Sequence, residues 1–184
     1  MAPRVLAMRC VPDVPARVAV SSPRQQGLPP VLAADTRVLI LGSFPGVASL
    51  AAGQYYAHPR NHFWPILGAL VDEPLAAMPY ALRLERLSAH RMGLWDTIVA
   101  CRRDGSLDTA IRDATQAEVD HVRRAAPEVR LVGFNGKTAA RAAAVWRAAG
   151  YATVALPSTS PAFTRPLAEK LAAWRVVADG LRQG

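Results

Sequence analysis

The stretch Arg37-Val-Leu-Ile-Leu-Gly42 is an apolar run of branched side chains closed by a glycine. Neither a period of two nor one of 3.6 breaks it, so it predicts a strand buried on both faces, as at the centre of a parallel sheet. Val129–Phe134 and Tyr151–Leu156 share this character, and Met92–Ile98 is a weaker strand candidate. Helical patterns separate these runs. Phe63, Leu67 and Leu70 fall at i, i+4, i+7, and Leu84 shares a face with Leu87. Thr115-Gln-Ala-Glu118 reads as a capping box opening a helix through Ala126, and an Ala-rich helix from Asn135 or Gly136 ends at Gly150. Pro166 introduces a last helix with Leu167, Leu171, Trp174, Ala178 and Leu181 on one face. Strands alternating with helices predict an α/β fold, three layers αβα around a central, mostly parallel four-stranded sheet.

Upstream, residues 1–35 carry scattered Pro, Ser and Gln and read as an extended N-terminal arm with a short strand at Arg17–Val20; residues 36–184 form a single domain. A length of 184 residues with 51% hydrophobic and 20% charged content suits one core. No apolar run reaches the ~20 residues of a bilayer span and no secretory leader pattern opens the chain, so a soluble, cytoplasmic protein is expected. Cys10 and Cys101 are isolated, which excludes a disulfide framework and a zinc or iron–sulfur spacing. The net charge of +8 suits a polyanion such as nucleic acid, although an arginine-rich composition also gives it without one.

In a parallel α/β sheet ligands bind beyond the carboxyl ends of the strands. Three segments fall there: 42–61, 134–136 and 157–165. Gly42-Ser-Phe-Pro-Gly46 is a tight turn with a glycine at each end, and it matches neither a Walker loop nor a dinucleotide fingerprint. Gly53-Gln-Tyr-Tyr-Ala-His-Pro-Arg-Asn-His-Phe-Trp64 then gathers two tyrosines, two histidines, an arginine and an asparagine in twelve residues. His58 and His62 are spaced i, i+4 but lack a third ligand in an HExxH or cysteine pattern, so no metal is expected.

Leu41-Gly-Ser-Phe-Pro-Gly46 with Gln54–Trp64, and then Ser158-Thr-Ser-Pro-Ala162, resemble the two motifs of the uracil-DNA glycosylase superfamily, most closely its hypoxanthine-DNA (deoxyinosine) glycosylase family. The resemblance runs in order from about residue 37 to 175. It departs from sister groups where they carry Asn or Asp in the turn, here Phe44, and from the uracil enzymes where they carry His at the second motif, here Ser158. It implies a DNA glycosylase of base-excision repair acting on deaminated bases, chiefly hypoxanthine, with uracil and xanthine as further candidates. A mismatch-specific uracil/thymine glycosylase and a non-catalytic nucleic-acid-binding protein are the alternatives. It also implies a monomer, DNA as the partner, no membrane, no metal and no cofactor.

By the same resemblance the essential polar role falls on Asn61, with Ser43 and His58 as further catalytic candidates. Such chemistry needs a flipped base, stacking on its face, hydrogen bonds to its edge and a positioned water. Asn61 can orient that water or cap the following helix, and Phe44 can stack on the base or fill the core. Gly42, Pro45 and Gly46 let the backbone approach, while Gln54, Tyr55 and Tyr56 line the pocket. Asn135 can read the base edge or cap a helix. Arg60 and Lys137 suit phosphates; Ser158, Thr159, Ser160 and Pro161 grip the backbone or stabilise a turn. Phe163 or Arg165 fills the gap left by the flipped nucleotide. With only Lys137 and Lys170 as lysines, simple hydrolysis is expected rather than lyase chemistry.

Overall fold

A computed structural model of the chain describes residues 22–182; the strand expected at Arg17–Val20 lies outside them. The run that opened the sequence reading is β2 (Val38–Gly42), buried at every position. It lies at the centre of a parallel sheet ordered β3-β2-β6-β7, with β3 spanning Met92–Asp96, β6 Leu131–Asn135 and β7 Ala152–Leu156. The pleat sends alternate side chains to opposite faces. Val38 and Ile40 join Phe63, Trp64, Leu67, Leu87 and Trp174 on one side; Leu39 and Leu41 join Trp95, Val122, Phe134 and Trp146 on the other.

Helices cover both faces, which completes the three layers. One core takes side chains from α2 (Phe63–Val71), α3 (Tyr80–Ala89) and α7 (Leu167–Arg182). The other takes them from α4 (Val119–Ala125), α5 (Lys137–Ala140) and α6 (Ala143–Ala148). A short α1 (Val47–Ala52) follows the Gly42–Gly46 turn. Fully burying each large apolar side chain contributes about 1.5–3 kcal/mol, so these two clusters dominate stability.

A second sheet, three-stranded and antiparallel, was not expected: β1 (Arg24–Gln26), β4 (Ile98–Arg102) and β5 (Arg112–Gln116) in the order β1-β4-β5. Met92–Ile98 is therefore the start of two strands, since Thr97 turns the chain from one sheet into the other and donates its N–H to Gly42 O at 2.8 Å. The described part of the segment assigned by sequence to the arm, residues 22–35, is stitched to the domain. Arg24–Gln26 pairs with β4, Leu28 and Val31 pack on the larger core, and Val31 bridges Leu94.

Three local readings need correction. Thr115 lies in β5 rather than at a capping box, and Glu118 occupies the N-cap of α4 without a side-chain bond. The Ala-rich helix is two short helices, α5 and α6, with Gly150 at φ +99° after the second. On α7 the expected face holds at Leu171, Trp174 and Leu181, which pack on the larger core, but Leu167 is exposed and Lys170 and Val177 are buried instead.

Candidate active site

The chain leaves β2 toward β3 on one side of the sheet and leaves β6 toward β7 on the other. Loops that diverge from adjacent parallel strands open a crevice at their carboxyl ends. A cleft of about 1030 Å³ occupies that place. The three expected segments line it, and a fourth, Ser106–Thr109 between β4 and β5, closes one side.

The Gly42–Gly46 turn is clamped from outside. Ile98 N–H reaches Ser43 O at 3.0 Å, the Ser43 hydroxyl donates to Asp108 Oδ1 at 2.7 Å, and Val47 N–H donates to Ser106 Oγ at 2.9 Å. Arg103, 2% exposed, donates to Pro45 O at 2.5 Å and holds its guanidinium 4.8 Å from the centre of the Phe44 ring. Phe44 packs with Ile98 and Cys101 in a small core, one of its two expected roles, and also lines the cleft. Gly42 is required by space, because a Cβ there would collide with Asp96 Oδ1 and lie 3.1 Å from the Tyr56 hydroxyl.

The second segment contributes unevenly. Tyr56 sits at φ +54°, sparsely populated for an aromatic residue, and stacks on Phe63 with ring centres 3.7 Å apart. Its hydroxyl is buried beside the Asn135 side chain, and burial pushes its ionisation far above the ordinary tyrosine range. Tyr55 is a wall held by its hydroxyl to Leu28 O and Pro29 O at 3.2 and 3.1 Å. His58 Nδ1 accepts the Arg60 N–H at 3.1 Å, so the neutral ring carries its proton on Nε2 as a donor for a ligand. Asn61 Oδ1 accepts the Phe63 N–H at 3.0 Å, so it satisfies the first N–H of α2 from one residue before the N-cap, His62; the residue also lines the cleft, with Nδ2 left for a ligand. Gln54 and the exposed Arg60 are not among the lining residues.

Asn135 ends β6 and spends its amide on the facing loop: Nδ2 donates to Thr159 Oγ1 and Oδ1 accepts the Thr159 N–H, both at 2.9 Å. It is not a helix cap; Gly136, at φ +97°, holds that position of α5. Thr159 is fully buried, so its side chain braces the loop instead of facing DNA. Ser158 Oγ accepts the Ser160 N–H and Ser160 Oγ accepts the Ala162 N–H, each at 3.2 Å. These are the turn-stabilising bonds, and both hydroxyl protons stay available as donors. Phe163 is half-buried under Lys170 and Arg165, while Arg165 and Lys137 are exposed and, with Pro161, line the cleft.

Three residues escaped the sequence reading: Asp96, Arg103 and Asp108. Asp96 ends β3, pairs in register with Gly42, and is 4% exposed. Burial first, then the negative charge of Asp108, push its carboxyl up to about 8 against the opposing charge of Arg103. A lone carboxylate closing the run Met92-Gly-Leu-Trp-Asp96 was the available signal.

The family model of the uracil DNA glycosylase superfamily matches residues 29–179, a span containing every residue of this cleft. The chain belongs to that superfamily. Two superfamily relatives are named hypoxanthine DNA glycosylase. The one from Methanosarcina barkeri is 41% identical over 151 residues, covering 82% of this chain and 96% of the relative. The one from Methanosarcina acetivorans is 37% identical over 153 residues, covering 83% and 97%. A solution NMR structure of a candidate uracil DNA glycosylase from Methanosarcina acetivorans superposes with a TM-score of 0.78 at 36% identity, covering 87% of this chain and 99% of that one. The fold expected from the strand pattern is thus the superfamily's fold, apart from the small antiparallel sheet that sequence did not announce.

Proposed function

We propose that the protein is a monofunctional DNA glycosylase that hydrolyses the N-glycosidic bond of hypoxanthine in DNA, in base-excision repair. The observation that carries this reading is the likeness to two relatives named hypoxanthine DNA glycosylase along nearly their whole length, with the entire cleft inside the shared superfamily span. The cleft supports it. Phe44 offers a ring to a base, His58 Nε2 and Asn61 Nδ2 offer donors, and Ser158, Ser160 and Lys137 offer the rim groups a phosphate takes. Asn61 and His58 act on the water and the departing base, and Ser43 holds the turn against Asp108. Phe163 and Arg165 remain the candidates to fill the vacated stack.

Neither lysine is suited to attack the sugar. Lys170 is fully buried, with Nζ donating to Phe163 O at 2.6 Å and to Ser160 O at 3.5 Å, and Lys137 stands at the rim as a phosphate contact. In this reading the enzyme works without a cofactor, as a monomer, in the cytoplasm where nucleoid DNA is reached. No helix among the described residues is long and apolar enough to cross a membrane.

The test is a panel of oligonucleotides bearing inosine, uracil, xanthine or a thymine mismatch. Hypoxanthine release faster than release of the others is expected. Dominant uracil or thymine release would instead favour the mismatch-specific reading. Binding without release of any base would make the protein a non-catalytic DNA binder.

A further inference from the structure

The floor of the cleft holds a buried polar atom that nothing among the described residues satisfies, Asp96 Oδ2, with the Tyr56 hydroxyl buried close by beside the Asn135 side chain. Buried polar atoms are almost always paired, and an exception calls for a partner that arrives later. Both groups border the small space left by the missing side chain of Gly42. Both belong to residues that line the cleft at the carboxyl ends of the central strands. A ligand reaching that floor meets a carboxyl and a phenol already stripped of water, which strengthens any hydrogen bond they make.

The surroundings of Asp96 decide which form of the carboxyl waits there. Arg103, just after β4, is the one cation among the described residues acting on it, and that guanidinium is turned to Pro45 O and the Phe44 ring. Asp108, from the loop before β5, adds a negative charge, while Tyr55 and Tyr56, from the loop after α1, contribute only neutral phenols. Desolvation and Asp108 together outweigh Arg103, so the carboxyl keeps its proton at neutral pH. A buried carboxylic acid beside an ionised carboxylate is the arrangement by which a site holds an acid ready at the pH where it works.

The reaction needs such a group. As the bond between C1′ and N9 breaks, its electron pair moves onto the purine, and an anionic base is a poor leaving group. Asn61 has no proton it can give up, whereas His58 Nε2, in the same cleft, can give one; a His58 donor would leave the gap between wild type and Asp96→Asn independent of pH. We propose that Asp96 is a catalytic residue that donates its carboxyl proton to the departing base while the Tyr56 hydroxyl steadies the same edge. In the balanced step the base leaves as neutral hypoxanthine, a water oxygen bonds to C1′ and loses its proton to solvent, and the Asp96 carboxylate regains a proton from solvent. This inference rests on the glycosylase reading above.

The experiment measures single-turnover release of hypoxanthine from a deoxyinosine oligonucleotide between about pH 6 and about pH 9, for the wild-type protein and for Asp96→Asn, the isosteric neutral variant. At the acid end Asp96→Asn is expected to be slower by about 10²-fold or more, the scale of losing a placed proton donor. The gap should narrow toward alkaline pH as the wild-type carboxyl ionises. Ionisation of the substrate itself would slow both proteins alike and leave the gap unchanged. A gap that does not vary with pH, or an Asp96→Asn rate near wild type, overturns the proposal. A wild-type rate that holds constant across the range overturns it without recourse to the variant. A wild-type protein that releases no hypoxanthine at any pH would overturn the glycosylase reading itself, so the two failures are distinguishable.

Discussion

Asn135 holds Thr159 by both ends of one amide, donating to its hydroxyl and accepting its N–H, each at 2.9 Å. The pair joins the carboxyl end of β6 to the loop after β7. Thr159 is fully buried, so no water can replace a lost partner. Asn135→Ala is expected to lower stability by about 2 kcal/mol or more, the cost of stranding a buried donor and acceptor. Urea denaturation checks it; a midpoint equal to wild type would mean the loop repacks freely.

Asn61 both caps α2 and faces the cleft, and a serine separates the two roles. Asn61→Ala should lose about 1 kcal/mol with the cap and slow base release by about 10²-fold or more. Asn61→Ser keeps an oxygen for the Phe63 N–H but has no amide. Stability near wild type with activity as poor as Asn61→Ala is the expected result. Recovery of base release in the serine variant would confine Asn61 to capping.

Gly42→Ala adds a methyl where Asp96 Oδ1 already stands. The end of a central strand cannot retreat without breaking its pairing with β3 and β6, so the variant should lose about 1–3 kcal/mol. It should also lose base release. Thermal unfolding and the inosine assay together check this, and unchanged values in both would show the floor to be yielding.

Asp96 makes stability depend on pH with a definite sign. Its folded value lies near 8 and its ordinary value at 3.8, so the folded chain binds the extra proton between those limits. Stability linked to this group is complete below the lower limit and is lost as pH rises through the upper one. Asp96→Asn does not titrate. Its melting temperature relative to wild type should therefore climb between about pH 4 and about pH 8 and level off beyond. A difference that is flat across this range would contradict the environment described for the carboxyl.

Simple hydrolysis leaves an intact abasic site, with no strand scission before heat or alkali. Borohydride should trap no covalent adduct. Lys137→Ala should weaken DNA binding and reduce the slope of log affinity against log salt by about one, as expected for one phosphate contact. An adduct abolished by Lys137→Ala would instead make this lysine a nucleophile.

The central sheet was legible because β2, β6 and β7 announce themselves by composition alone. Two strands of the small sheet were not. Arg112–Gln116 is exposed at every position and Arg24–Gln26 is three polar residues, so backbone pairing to β4 holds them and no apolar pattern marks them. The turn and the two cleft loops were found from their residue types. Asp96 was not: a carboxylate closing an apolar run was its one mark, and the burial and the neighbouring Gly42 that give it weight appear only in three dimensions. The burial of Lys170 is hidden for a similar reason: nothing in the sequence marks the loop carbonyl that receives its amine.

Arg103, Ser106 and Asp108 all follow β4, yet each fastens the turn that follows β2. For protein engineering this divides the catalytic centre into a scaffold and an adjustable bracket. Diversifying residues 103–108 would retune the height and tilt of the Phe44 ring over an incoming base while leaving the parallel sheet unaltered, which makes that loop the economical place to select for altered base preference.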